Sequence, residues 1–123
     1  MATVYVITHP EVAINPAIPI PEWTLSTIGR DRIKRLVEAP WFREVDAIYC
    51  SAERKARDCA EIAKAHLGRP TRLLQELGEN DRSSTGYLPR EEFEATADQF
   101  FAHPGLSIRG WETALDAQAR IAK

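Results

Sequence analysis

Several things are scarce in this chain, and each scarcity closes off a class of function. Cysteine occurs twice, at Cys50 and Cys59. That is neither a disulfide framework nor a CxxC pair, and it predicts free thiols in a reducing cytosol. Histidine occurs three times, as His9, His66 and His103. Their spacing matches neither HxxxH nor HExxH, so no metal centre and no cofactor is expected. The sequence has no GxGxxG or GxxxxGK[ST] loop to cradle a nucleotide and no GxSxG elbow to carry a serine nucleophile. No apolar run approaches the length of a membrane span. The first residues also lack the basic segment, apolar stretch and small-residue cleavage site of a leader, which predicts a cytoplasmic protein. A formal net charge of −2 argues against nucleic acid or a membrane surface as a general partner. Any anion site must therefore be a local concentration of positive charge.

What is present reads as an ordinary globular domain. The 123 residues are 44% hydrophobic and 28% charged, enough for one domain with its own core. Val4 to Ile7 is a short β-branched run without polar alternation, as expected of a strand covered on both faces. "PEVAINPAIPIPEW" carries too many prolines for a helix and reads as an extended loop. Ser26 offers an N-cap to a helix with Gly29, Ile33, Leu36 and Val37 on one face, halted by Pro40. Val45 to Cys50 is a second strand. Ser51 is placed to cap the next helix, with Glu53 in its first turn and Gly68 at its end. "TRLLQE" is a third strand ending at Glu76. Pro89 opens a helix whose buried stripe is Phe93, Ala97, Phe100 and Phe101, and "WETALDAQARIAK" is a last helix without a C-cap. Strands alternating with helices predict a three-layer α/β/α sandwich with a mainly parallel sheet.

In such folds functional residues gather at the carboxyl ends of strands. His9, the Cys50–Ser51 turn and Glu76 all fall there. A histidine nucleophile with a carboxylic acid suits phosphoryl transfer, which needs an in-line nucleophile, donors around the phosphate oxygens and a proton for the leaving group. His9 and Glu76 can fill the first and last roles, with Asn15, Lys55, Arg54 and Arg57 as donors. On residues alone, a solvated strand-end histidine and a surface glutamate remain the competing account.

Five stretches, in order, resemble the histidine phosphatase superfamily, the phosphoglycerate-mutase-like group. "THPEVAIN" is similar to its RHGETxxN opening, matching His9 to the phosphorylated histidine, Glu11 to the motif glutamate and Asn15 to a phosphate contact. "LSTIGRDRI" resembles LTxxGxxQA. "CSAERKARDCAEIAKAHLG" resembles SSPLxRAxxTAxxIAxxxG, with Lys55 where the second phosphate-binding arginine stands. "LLQELGE" resembles the strand that delivers the acid, with Glu76 in that place. "RGWETALDAQARI" resembles the GES…R segment through Gly110, Glu112 and Arg120. The chain departs from the pattern at Thr8, which replaces the first arginine, at Pro10, which replaces a glycine, and at Lys55, which exchanges a planar fork for a point charge. Arg54, Arg57 or Arg82 can compensate.

The resemblance also implies a second catalytic histidine in a later strand, and residues 1–123 stop before it. They are expected to be the first two-thirds of the domain, with a gap between the His9 strand and the Cys50 strand. The two edges left there could pair with a second copy as a homodimer. The implied activity is hydrolysis of a small phosphate monoester through a phosphohistidine at His9, with Glu76 as proton donor. The alternative is a non-catalytic phospho-ligand-binding or regulatory relative. A mutase would need more cationic side chains than remain.

Overall fold

The computed structural model describes residues 2–123. Its first helix, α1, spans Thr27–Leu36 and starts at the predicted cap. The Ser26 hydroxyl accepts from the Gly29 backbone N–H at 3.0 Å, satisfying one of the amides a first turn leaves free. Gly29 and Ile33 face inward. Ala39, the residue before Pro40, sits in the extended region as the proline ring demands, and a 3-10 turn over Pro40–Glu44 follows.

Strand β1 (Ile48–Cys50) pairs in parallel with β2 (Thr71–Leu73), placing Ile48 opposite Thr71 and Cys50 opposite Leu73. Both strands are shorter than their apolar runs suggested. Helix α2 (Arg54–Leu67) crosses between them and packs against β1 and α1. Gly68 ends it in the left-handed region at φ 64°, a conformation that carries no Cβ penalty in glycine. Val37, Phe42 and Ala63 form a buried cluster under Trp41, Ile48 and Leu67. Helix α3 (Arg90–Ala102) begins after Pro89, and α4 (Ala114–Ile121) is capped by the Thr113 hydroxyl, which accepts from Asp116 N–H at 3.0 Å. No helix among the described residues is long and apolar enough to cross a membrane.

The fold is α/β with a parallel sheet, as the sequence implied, and three local expectations need correction. Val4–Ile7 enters no ladder, and β1 and β2 are the only paired strands among the described residues. Val4 and Val6 are 81% and 88% exposed. A strand exists only by its partner, and here no ladder forms, although the Tyr5 ring meets that of Trp41 at 4.4 Å between centroids. Phe101 is also 75% exposed, because Thr96 and Phe100 take the inward face of α3. Ser51 does not cap α2. Glu53 is the N-cap residue, and the Ser51 hydroxyl donates to the Glu53 carboxylate instead.

Candidate active site

His9 lies at the start of the proline-rich loop, which is laced antiparallel onto the segment entering α1. Val12 bridges Leu25, Ala13 N–H donates to Thr24 O at 2.9 Å, and Ser26 N–H donates to Glu11 O at 3.0 Å. The approach is so close that a Cβ on Gly29 would stand 2.1 Å from the Glu11 carbonyl oxygen. Only a glycine fits there. The Trp23 indole N–H donates to the Asn15 carbonyl at 2.9 Å and closes the far end of the loop.

Held this way, the His9 imidazole has two different nitrogens. Nδ1 lies 2.8 Å from the Pro10 carbonyl oxygen. A carbonyl only accepts, so Nδ1 carries a proton and Nε2 is the nitrogen facing the site. Nε2 lies 3.1 Å from Glu79 Oε1. The same carboxylate accepts from Lys55 Nζ at 3.0 Å and from an Arg82 guanidinium nitrogen at 3.3 Å. Lys55, in the first turn of α2, is only 3% exposed, whereas the Glu79 side chain stays 38% open to solvent. Burial pushes the Glu79 carboxyl up, but the Lys55 hydrogen bond and the charges of Lys55, His9 and Arg82 outweigh it. They hold the group below the usual carboxylate range.

Glu79 is positioned from both sides through its backbone. Its N–H donates to Glu53 Oε1 at 2.8 Å, so the carboxylate at the mouth of α2 anchors the loop after β2. On the other side the Arg120 guanidinium, from α4, donates to the carbonyls of Glu76 (2.8 Å), Gly78 (2.8 Å) and Glu79 (3.2 Å). Its remaining donors fork onto the Glu112 carboxylate at 3.0 and 2.9 Å. That bidentate hydrogen bond holds Glu112 below its ordinary range and raises Arg120. Glu112 accepts from Asp81 N–H at 3.0 Å as well.

Of the residues singled out from the sequence, the structure brings His9, Lys55 and Arg82 together around Glu79 and leaves Glu76, Asn15, Thr8, Arg54 and Arg57 elsewhere. Glu76 is exposed, in a 3-10 turn over Gln75–Leu77. Its carbonyl meets Arg120, and its carboxylate makes no hydrogen bond among the described residues. Asn15 spends its side-chain oxygen on Ala17 N–H at 3.0 Å, closing its own turn. Thr8 is exposed. Arg54 is half-exposed and lies 4.0 Å from Asp58, a buried carboxylate that accepts from Leu25 N–H and Arg30 at 3.2 Å each. Arg57 lines a separate shallow groove with Arg54, Asp58 and Glu61. Burial raises the Cys50 thiol at the end of β1. His66 and His103 are exposed.

Glu79 and Glu53 are the residues that sequence reasoning missed. The available signal was the Gly78–Glu79 pair: the loop after a strand carried two glutamates three positions apart, and only the second follows the turn that aims back at the sheet.

Residues 4–123 match the histidine phosphatase superfamily (branch 1). The chain belongs to this superfamily. Among solved structures, this histidine phosphatase chain resembles the mycobacterial glucosyl-3-phosphoglycerate phosphatase Rv2419c in complex with inorganic phosphate. The TM-score is 0.74 at 21% identity, over 93% of this chain and 56% of that one. It also resembles mycobacterial hydrolase 2, with a TM-score of 0.75 at 20% identity, over 93% of this chain and 52% of the other. The chain spans about half the length of these solved relatives. No curated protein matches it.

Proposed function

We propose that this histidine phosphatase chain serves the hydrolysis of a small phosphate monoester through a phosphohistidine at His9, with Glu79 as the proton donor. The observation that carries the reading is the His9 geometry. Nδ1 is tied to a carbonyl, while Nε2 points at a carboxylate that also holds the buried Lys55 ammonium. Glu79 takes here the acid role that the motif suggested for Glu76, because it is the carboxylate within hydrogen-bond reach of the nucleophile. A phosphatase of the same fold, solved with inorganic phosphate and with VO3, supports a phosphate ester as the substrate class.

In the first step the proton of the Nε2–Glu79 hydrogen bond resides on Glu79, the Nε2 lone pair so freed attacks phosphorus, the ester P–O bond breaks, and the Glu79 carboxyl gives that proton to the leaving oxygen. In the second, water attacks phosphorus, Glu79 takes back a proton, and the P–N bond breaks to release phosphate and free His9. Glu79 must be protonated for the first step. The arriving phosphate dianion raises its pKa by like charge, opposing the depression set by its neighbours.

The competing account is a phospho-ligand binder without turnover. Thr8 favours it, being exposed where the family pattern puts an arginine. A panel of phosphate esters, quenched in base after brief incubation, separates the two. Phosphohistidine survives base and is lost in acid. Base-stable label on the wild-type protein, absent in His9→Ala and accompanied by phosphate release, is the expected result. Ester binding with no label and no release would select the binding account.

A further inference from the structure

The motif positions that hold phosphate in the family pattern carry Thr8 and Lys55, so no guanidinium fork stands at either. The chain has other arginines near the site, and most are already committed. Arg120 spends its donors on Glu112 and three backbone carbonyls. Arg30 and Arg54 face Asp58, and Arg57 lies in the groove beside Glu61. Arg109 pairs with Glu92 at 3.5 Å.

Arg82 is different. Its backbone carbonyl closes a turn, accepting from Thr85 and Gly86 N–H at 3.2 and 3.0 Å, and its side chain runs back toward the site. The guanidinium carbon sits 5.0 Å from the Phe93 ring centroid and 5.9 Å from that of Trp111, both within cation–π range. Trp111 is buried, and its indole N–H is fixed on the Thr85 hydroxyl at 2.9 Å. The group therefore lies over a shelf of two aromatic rings and is 18% exposed. Its one carboxylate partner is the Glu79 oxygen that Lys55 also holds.

We propose that Arg82, carried by the loop after β2 and stacked on Phe93 and Trp111, is the substrate-binding arginine that presents a fork to the phosphate dianion in place of the one missing at Thr8. This rests on the phosphate-site reading above. When Glu79 is protonated its hold on Arg82 weakens, and the guanidinium turns its donors to the phosphate oxygens without leaving the shelf. An arginine delivered by the loop after β2 also ties phosphate binding to the same loop that carries Glu79, which the arginine at position 8 in the family pattern would not.

Titration of the protein with orthophosphate and with orthovanadate tests this. Arg82→Gln should weaken both by about tenfold to a hundredfold, the loss of a charge-assisted hydrogen bond. Phe93→Leu, which keeps an apolar side chain but removes the ring face, should weaken both by about two- to fivefold. The decisive variant is Thr8→Arg in the Arg82→Gln background, which should restore affinity. A merely structural role for Arg82 would not be rescued from position 8. Unchanged binding in Arg82→Gln, or a loss that Thr8→Arg fails to recover, overturns the assignment. Failure of the wild-type protein to bind either anion would instead refute the phosphate site itself.

Discussion

Glu79→Gln is the substitution on which the site makes its sharpest demand. In the unliganded site one carboxylate holds His9 Nε2, Lys55 Nζ and Arg82 at 3.1, 3.0 and 3.3 Å. These are the groups a phosphate would use in the proposed reaction, so the carboxylate competes with the ligand until it is protonated. Glutamine keeps the shape and one accepting oxygen for Lys55 while removing the charge. Two unit charges about 4 Å apart repel by ~1 kcal/mol in water and ~4 kcal/mol at an effective dielectric constant near 20. A carboxylate more than a third open to solvent belongs nearer the lower figure, so phosphate binding should tighten about five- to thirtyfold. Turnover should move the other way, because glutamine has no proton to give. A positioned general acid contributes about 10²–10⁴-fold, and the full loss should appear with an alkyl phosphate. With p-nitrophenyl phosphate, whose leaving group needs little protonation, the loss should be far smaller. Calorimetry against orthophosphate and kcat on the two esters read both effects. Weaker phosphate binding, or equal kcat losses on the two esters, would refute the assignment of Glu79. Alanine is a poorer probe, since it strips Lys55 of its counter-charge. Breaking a buried pair costs up to ~3–5 kcal/mol, less here because Glu79 is partly solvated.

Three further predictions concern stability and association. Gly29→Ala would ordinarily gain ~1 kcal/mol of helix propensity, but a Cβ 2.1 Å from the Glu11 carbonyl forces the His9 loop away. A net loss of about 1–3 kcal/mol is expected in denaturant titration, and a gain would mean that the loop does not sit where described. The carboxyls of Glu79, Asp81 and Glu112 are all held below their usual range, Asp81 by the Ser83 hydrogen bonds. Depressed folded-state values stabilise above the unfolded range of about 3.9–4.3 and lose that contribution as pH falls through them. The melting temperature should therefore drop steeply below about pH 4.5, and less steeply in Glu112→Gln; parallel curves would count against the Arg120 fork. The unpaired, exposed Val4–Ile7 run should drive self-association through its edge, and sedimentation should show this diminished in Val6→Lys; a wild-type protein monomeric at all concentrations would remove the argument.

Much of this was legible in the residues because local rules act locally. Ser26 capped its helix, Gly68 ended α2, and the parallel pairing of β1 and β2 followed from strands separated by a helix. The misreadings came where a residue's place is set from a distance. Glu76 was expected at the end of a strand because the apolar run leads up to it. The strand stops at Leu73, and Arg120, in the last helix, decides which glutamate reaches His9. Ser51 looked like a cap because serine favours that position, but the demand of Glu79 N–H for a carboxylate drew Glu53 there instead. Phe101 fitted the helical stripe until Trp111, in the segment between α3 and α4, selected Phe100 as its partner at 6.1 Å. Val4–Ile7 has the composition of a strand, and composition alone cannot supply a neighbour.

The grip of Arg120 on the backbone carbonyls of Glu76, Gly78 and Glu79 has a consequence for mutational tolerance. A backbone carbonyl is the same whatever residue bears it. Positions 75 to 77 can accept wide substitution as long as the chain keeps its path, since nothing in the clamp reads their identity. The constraint is transferred to a residue more than forty positions away, where lysine would offer no planar fork and no neighbour could substitute. A saturation scan scored on binding or turnover should thus find a tolerant stretch directly before Glu79 and a sharp intolerance at Arg120. The loop would look variable although the Arg120 clamp holds its path.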